Sequence, residues 1–135
     1  IQKRGYVEVG YCSVAGTHDD VIRYLRPDNW QGNPYLNVWR IYQTINDMEV
    51  TGYLDFNVDP TFGFKLQDRR QIHTGKSEDI TMEFGQLYKG NKPMIRLIAI
   101  NNYGHWNFKP AARLIWDFFR HFSRDMETKK LNYTE

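Results

Sequence analysis

The chain has 135 residues and a mass of 16.1 kDa, is 41% hydrophobic and 25% charged, and carries a formal net charge of +2. This size and composition predict one globular domain over residues 1–135. No run approaches the roughly 18 apolar residues of a membrane-spanning helix, and no Lys/Arg-rich block offers the concentrated charge that binds phosphates. The sequence therefore argues against a membrane protein and against a nucleic-acid-binding protein.

The single cysteine, Cys12, excludes an internal disulfide and a multi-cysteine zinc site, and it is compatible with a secreted or a cytoplasmic protein. The chain begins Ile1-Gln2-Lys3-Arg4, without an initiator methionine or the apolar stretch of a signal peptide. We therefore expect a processed chain or a fragment of a longer one. The aromatic content of 16% is high for this length, which raises the question of what the rings pack against.

The first two elements are a strand and a helix. Residues 6–15 are rich in β-branched and aromatic side chains and predict a buried strand that stops at Gly16. Asn33 and Pro34 supply an N-cap and a first-turn proline for an amphipathic helix that ends near Asp47.

The rest of the chain contains a second strand and a second helix. Residues 48–92 alternate short apolar runs with Gly and Asp-Pro turns, which predicts an irregular insertion of short strands. Residues 94–100 are apolar on both faces and predict a strand covered from both sides. A helix with one aromatic-rich face follows over residues 108–122, and residues 125–135 form a charged tail that we expect to fray.

The order strand, helix, insertion, strand, helix predicts an α/β fold in which the two main strands lie side by side and parallel. Two strands alone are too few to form a stable sheet. We therefore expect an unsatisfied edge on the first strand, where further strands are missing from this sequence.

Ionisable residues follow both main strands. In open α/β sheets, ligands bind beyond the carboxyl ends of the strands, so the loops of interest are residues 16–24 and 101–106. Asp19 lies in the first loop and His105 in the second. A carboxylate that fixes the tautomer of an imidazole produces a general base, so Asp19 and His105 are the candidate catalytic pair.

Three motifs occur in order: Gly16-Thr17-His18-Asp19, then Gly104-His105-Trp106, then Leu114-Ile115-Trp116-Asp117-Phe118-Phe119. At these residues the chain resembles the C-terminal part of an α/β-hydrolase, an esterase of the polyhydroxybutyrate-depolymerase and feruloyl-esterase group. The resemblance implies the C-terminal portion of an α/β-hydrolase parallel sheet, with two main strands, two helices and an irregular short-strand insertion. It also implies that Asp19 is the acid and His105 the base of a Ser-His-Asp triad.

The serine of such a triad is not evident in this chain. The nucleophile of this fold sits on a Gly-x-Ser-x-Gly turn that precedes the acid, and the three serines, Ser13, Ser77 and Ser123, have neither that context nor that order. We therefore expect the nucleophile on the missing N-terminal half of the fold, in the same chain or a second one. The resemblance implies small ester substrates, including hydroxycinnamoyl esters on plant polysaccharide, and no cofactor.

Alternatives remain for these residues. Asp19 is alternatively a turn residue, with Asp20 as the acid, and His105 is alternatively a loop histidine bonded to backbone. Trp106 and Trp30 are candidate substrate-binding residues, with simple packing as the alternative.

Other chemistry is less favoured. His18, Asp20 and His105 lack the spacing typical of a zinc site, so we expect no metal, and Cys12 is expected to be a buried strand residue. Helical spacing places four rings in the core: Trp39, Trp116, Phe118 and Phe119. The alternative function is a non-catalytic module whose aromatic surface binds carbohydrate or a protein.

Overall fold

A mixed sheet of four strands organises the molecule. The computed structural model describes residues 8–19, 22–73, 80–104, 111–128 and 130–134. In chain order the elements are β1 (Tyr11–Gly16), α1 (Pro34–Ile45), β2 (Gln67–His73), β3 (Thr81–Lys89), β4 (Lys92–Ile100), α2 (Ala111–Phe119), β5 (Phe122–Arg124) and β6 (Leu131–Tyr133). No helix in these segments is long and apolar enough to cross a membrane.

Helix α1 begins where its capping residues predict. The Asn33 side chain accepts a hydrogen bond from the Tyr35 backbone N–H at 2.9 Å, and Pro34 occupies the first turn. The helix buries Leu36 and Trp39 against the sheet. The prediction of this helix is confirmed.

The sheet has the strand order β1-β4-β3-β2. Strand β1 pairs with β4 in parallel, as the sequence predicts, but β4 pairs with β3, and β3 with β2, in antiparallel fashion. The expectation of an α/β-hydrolase parallel sheet is therefore wrong. The structure is a small mixed α/β domain with two helices in the described residues.

The antiparallel part of the sheet comes from a tight turn between β3 and β4. Gly90 and Asn91 connect the two strands, and Gly90 has a φ of +63°. Positive φ at the first position of a two-residue turn suits a hairpin, whereas parallel neighbours need a crossover of a dozen or more residues. Segment 48–92 thus supplies two full strands of the sheet, β2 and β3, where the sequence suggested an irregular insertion.

The C-terminal residues form a second, smaller sheet. Strand β5 pairs antiparallel with β6, and the side chain of Leu131 is buried. Residues 131–133 are therefore paired in a sheet with residues 122–124, where the charged composition of residues 125–135 suggested a frayed tail.

Strand β4 is covered on both faces, as its apolar sequence predicts. Leu97 belongs to a core cluster that includes Trp39 and Phe62, while Ile98 belongs to a second cluster on the other face with Phe84. Aromatic rings pack against one another in the first of these clusters. The centroid of the Trp39 ring lies about 6 Å from those of three other rings, Tyr24, Phe62 and Phe64.

The prediction that all four helix aromatics are buried is partly wrong. Trp39 and Phe118 are buried, but Trp116 is 66% exposed and Phe119 is 40% exposed. In α2 the residues that are buried or pack against the core are Ala111, Leu114, Ile115 and Phe118, which share one face of the helix. Trp116 falls outside that face.

Candidate functional site

The parallel pairing of β1 and β4 brings the loops that follow both strands to one end of the sheet. The Thr17 backbone N–H donates to the Ile100 carbonyl at 3.0 Å, and the His18 N–H donates to the Tyr103 carbonyl at 2.9 Å. The Asn102 N–H in turn donates to the Thr17 hydroxyl oxygen at 2.9 Å. These bonds join the loop of Asp19 to the loop that leads into His105.

Close contact between the two loops requires a glycine at position 16. A Cβ atom placed there would collide with the carbonyl oxygens of Tyr103 and Gly104. Gly104 is the residue directly before His105 in the chain. The backbone at Gly16 therefore packs directly against the backbone of Tyr103 and Gly104, at a distance that only a glycine at position 16 allows.

Asp19 is a buried carboxylate with defined partners. Its side chain accepts a hydrogen bond from the Ile22 N–H at 2.9 Å and a longer one from the Tyr35 hydroxyl at 3.4 Å, and the residue is only 6% exposed. Burial first, and then the nearby Asp19 carboxylate, raise the pKa of Tyr35, so its hydroxyl remains a donor. The bond from Ile22 gives Asp19 the turn role considered from the sequence, and it also holds the carboxylate in place.

Several predicted site residues cannot be located in this way. Three of them, His105, Trp106 and Asp20, lie outside the described residues. The pairing of Asp19 with His105 and the alternative of a metal site both involve these residues, so both stay predictions. Trp30 is described and half-buried, and it meets the ring of Tyr53 edge-on at 5.3 Å between centroids. The structure thus places Trp30 in an aromatic pair with a residue that the sequence did not single out.

The two described serines, Ser13 and Ser123, both lie in strands. Ser13 is buried within β1, and its hydroxyl oxygen accepts a hydrogen bond from the Trp39 indole N–H at 3.0 Å. Ser123 lies in β5 opposite Asn132, and Ser77 falls outside the described residues. Ser13 is therefore a structural serine of the core, in agreement with its unsuitable sequence context.

Cys12 is a poor nucleophile in this fold. Burial raises the pKa of the Cys12 thiol to about 12, although the Arg96 side chain acts in the opposite direction. A thiol with so high a pKa is almost entirely protonated at neutral pH, and the thiolate is the reactive form.

A charged network that sequence patterns did not indicate lies close to the same end of the sheet. Arg69 bridges the carboxylates of Asp59 and Glu83, each at 2.7 Å, and the Asn101 amide donates to Glu83 at 3.0 Å. Burial acts to raise the pKa of Asp59, but hydrogen bonds from Arg69 and from two backbone N–H groups outweigh it and hold that pKa below its ordinary value. The three charged residues are far apart in the chain, so no local motif could reveal the network.

A cavity of about 320 Å³ opens beside the Asp19 loop. It is lined by Thr17, His18, Tyr24, Leu25, Arg26, Pro60, Thr61 and Asn101. The Tyr24 hydroxyl is buried and has no hydrogen-bond partner among the residues that the structure describes. The lining therefore combines hydroxyl, amide and imidazole side chains with the charged Arg26 and a short apolar wall of Leu25 and Pro60.

A larger cleft of about 600 Å³ lies elsewhere on the surface, between the segment after α1 and the β3–β4 turn. Its wall includes Met48, Phe64, Tyr88 and Tyr53, the last of which is 84% exposed. Tyr53 belongs both to this cleft and to the Trp30–Tyr53 pair, so the two features adjoin.

Comparison with known proteins adds no identification, because no protein family, no curated protein and no solved structure matches the chain. A functional assignment depends on the sequence motifs and on the geometry of the joined loops.

Proposed function

We propose that this chain supplies the acid and the histidine of a Ser-His-Asp triad in a serine carboxylic-ester hydrolase, with Asp19 orienting His105. The observation that carries the proposal is the hydrogen-bonded junction of the two loops, in which His18 bonds to Tyr103 at 2.9 Å. This junction holds the buried carboxylate of Asp19 at the same end of the sheet as the chain that leads directly into His105.

The chemistry assigned to these residues is acyl transfer. His105 accepts the proton of a serine hydroxyl while the serine oxygen attacks the ester carbonyl carbon, and the imidazolium then protonates the departing alcohol. Water, activated by the same histidine, hydrolyses the acyl-enzyme and restores the serine. Asp19 keeps the imidazole in the tautomer that accepts the proton and stabilises the imidazolium. The substrates proposed are short acyl or hydroxycinnamoyl esters, including esters on plant polysaccharide.

The serine is assigned to a polypeptide segment other than these 135 residues. Ser13 is buried, and its hydroxyl oxygen accepts a hydrogen bond from the Trp39 indole N–H. The outer edge of β1 pairs with no strand in the described residues, and an unpaired strand edge is a ready site for another segment to add. These two facts support a nucleophile contributed from outside the chain.

The Asp19–His105 pair is testable in the chain itself by one-dimensional proton NMR. An imidazole N–H that donates to a carboxylate gives a strongly downfield resonance, which we expect in the unmodified chain and expect to vanish in both His105→Gln and Asp19→Asn. The matched controls are Asp20→Asn and His73→Gln, which should leave the resonance in place. Loss of the signal in Asp20→Asn with retention in Asp19→Asn would assign the acid to Asp20 instead.

Activity provides a second test. We expect no turnover of p-nitrophenyl acetate by the 135-residue chain alone, since its serines are unsuitable, and measurable turnover would contradict the external nucleophile. In a protein that includes the nucleophile, His105→Ala should lower kcat by several orders of magnitude. A loss confined to KM would instead indicate a binding role.

The 600 Å³ cleft favours a second candidate function, a carbohydrate-binding module. Exposed rings such as Tyr53 offer flat apolar surface for the C–H face of a sugar. Under this alternative, isothermal titration with xylohexaose should show binding that Tyr53→Ala abolishes. Trp116→Ala, which removes an exposed ring outside the cleft, should bind normally. Absence of heat with the unmodified chain would eliminate this candidate.

A further inference from the structure

The loop that contains Asp19 is bonded to the start of α1. The Asn33 side chain donates to the Arg23 carbonyl at 3.0 Å and accepts from the Tyr35 backbone N–H at 2.9 Å. One side chain thus caps the helix and also holds the segment that follows Asp19. The first turn of α1 therefore has a fixed position relative to the Asp19 loop.

Tyr35 brings its hydroxyl from this first turn to the Asp19 carboxylate. The hydroxyl donates to Asp19 Oδ2 at 3.4 Å, while the Ile22 N–H donates to Oδ1 at 2.9 Å. A donor therefore lies at each carboxylate oxygen, which restricts rotation of the carboxylate about its Cβ–Cγ bond. A carboxylate offers about four acceptor positions, so these two donors are compatible with a third donor from an imidazole N–H.

Aromatic packing restricts the ring that carries this hydroxyl. The ring centroids of Tyr35 and Tyr24 lie 5.7 Å apart, and the buried ring of Tyr24 in turn meets Trp39 edge-on at 6.4 Å. Trp39 is fully packed in the core. The position of the Tyr35 hydroxyl is therefore set by the core and by α1, and not by the loop that it contacts.

Tyr35 supplies a donor without supplying a charge. Burial, and then the nearby Asp19 carboxylate, raise the pKa of its hydroxyl, so the hydroxyl stays protonated at neutral pH. An arginine or lysine in this place would set a positive charge beside the carboxylate and would compete with the imidazolium that the carboxylate stabilises. A neutral donor holds the carboxylate and leaves its negative charge available for that task.

We propose that Tyr35 is a positioning residue, which holds the Asp19 carboxylate in the orientation that bonds to His105. Resting on the proposed function, Tyr35 acts through the Asp19–His105 pair and not on the reacting atoms. A bond that only stabilised the loop would contribute to folding and would leave the imidazole of His105 unaffected.

The test compares Tyr35→Phe with Tyr42→Phe in the 135-residue chain. Tyr35→Phe keeps the ring and removes the hydroxyl, and Tyr42→Phe removes a hydroxyl from the same helix, where the ring stacks on Tyr11. The measurement is the exchange with water of the downfield imidazole N–H of His105, from its line width at several temperatures. We expect about 3- to 10-fold faster exchange in Tyr35→Phe, the factor for the loss of one neutral hydrogen bond, and unchanged exchange in Tyr42→Phe.

Kinetics supply a second measurement in a protein that includes the nucleophile. Tyr35→Phe should lower kcat for p-nitrophenyl acetate about 3- to 10-fold and leave KM unchanged, because the hydroxyl affects the orientation of the base and not the binding of the ester. Tyr42→Phe should keep both constants. An effect of Tyr35→Phe on KM alone would contradict the positioning role.

The possible results distinguish the role of Tyr35 from the pair itself. Equal exchange in the unmodified chain and in Tyr35→Phe would overturn the role of Tyr35 and leave the Asp19–His105 pair intact. A lower urea midpoint for Tyr35→Phe with unaltered exchange would also overturn it, since that is the effect of a bond that only stabilises the loop. Absence of the resonance from the unmodified chain, or its persistence in Asp19→Asn, would reject the pair and the role of Tyr35 with it.

Discussion

Gly16 allows the two loops of the candidate site to meet because it has no side chain. Its hydrogen leaves room for the carbonyl oxygens of Tyr103 and Gly104, which a side chain would displace. The residue has an ordinary backbone conformation, so the requirement is for space and not for a positive φ. The position of Asp19 relative to the second loop follows from this contact.

Gly16→Ala should therefore destabilise the protein by about 1–3 kcal/mol, the usual cost of forcing extra volume into a packed region. The matched control is Gly52→Ala, because a Cβ at position 52 meets no atom within 4 Å. Urea unfolding monitored by tryptophan fluorescence measures both. Equal stability of the two variants would show that the loops separate without cost.

Asp59 predicts a specific dependence of stability on pH. Its pKa is held below the ordinary value of 3.8 in the folded state, because the Arg69 and backbone hydrogen bonds outweigh the effect of burial. The stabilisation by the ionised group is thus fully present above about pH 4 and is lost as the pH falls through the lower folded pKa.

Asp59→Asn should cost about 1–3 kcal/mol at pH 7, where it removes a charged partner of Arg69, and this difference should shrink towards pH 3. Asp55→Asn is the control, since Asp55 is exposed. The measurement is the free energy of unfolding at both pH values. A difference that stays constant with pH would mean that Asp59 does not titrate as described.

At the scale of elements, the Asn46 side chain ties the end of α1 to the segment that enters β1. Asn46, which follows the helix and has no exposed surface, accepts from the Val9 N–H at 2.7 Å and donates to the Val9 carbonyl at 2.8 Å. This pair of bonds imitates one rung of a strand ladder. It fixes the end of the helix against the chain that enters the first strand.

Asn46→Ala should cost about 1–3 kcal/mol, because it leaves two partly buried backbone groups of Val9 without their partner. Asn37→Ala, on the exposed side of the same helix, should change the free energy of unfolding by less than about 0.5 kcal/mol. Chemical denaturation of both variants tests this. Similar midpoints would show that α1 is held by its apolar face alone.

Local signals were sufficient for α1 and insufficient for β3. The Asn33-Pro34 pair starts the helix through contacts within three residues. Strand β3 contains Gly85, and its apolar residues are interrupted by polar ones that become buried in pairs, such as Gln86 with Arg96 at 2.9 Å. Those residues suggested only short strands within an irregular insertion, because their partners on neighbouring strands lie far away in the sequence.

At the scale of the whole molecule, stability is expected to be concentrated in the centre of the large sheet. Strands β3 and β4 each have a neighbour on both sides, whereas β5 and β6 form a sheet of two three-residue strands. Isolated two-stranded sheets are marginal in water.

Native-state hydrogen exchange should show the slowest amides in β3 and β4, near the rate set by global unfolding, and faster exchange in β5 and β6. Amides of β1 should be intermediate, since one of its edges is unpaired within the described residues. Equal protection of β1 and β4 in the chain alone would indicate that another segment already covers that edge.

The sequence by itself determined the first helix, the two main strands and the loop that contains Asp19, because capping residues and apolar patterns act over a few neighbouring positions. The order of strand, helix and strand indicated the parallel pairing of the two main strands, through the rule for crossover connections. Only the tertiary structure decided that the sheet is mixed, that Asp59, Arg69 and Glu83 meet, and that the Tyr24 hydroxyl is left unpaired beside a cavity. Each of these depends on contacts between residues ten or more positions apart. Such contacts are set by how strands align and pack, which no local pattern records.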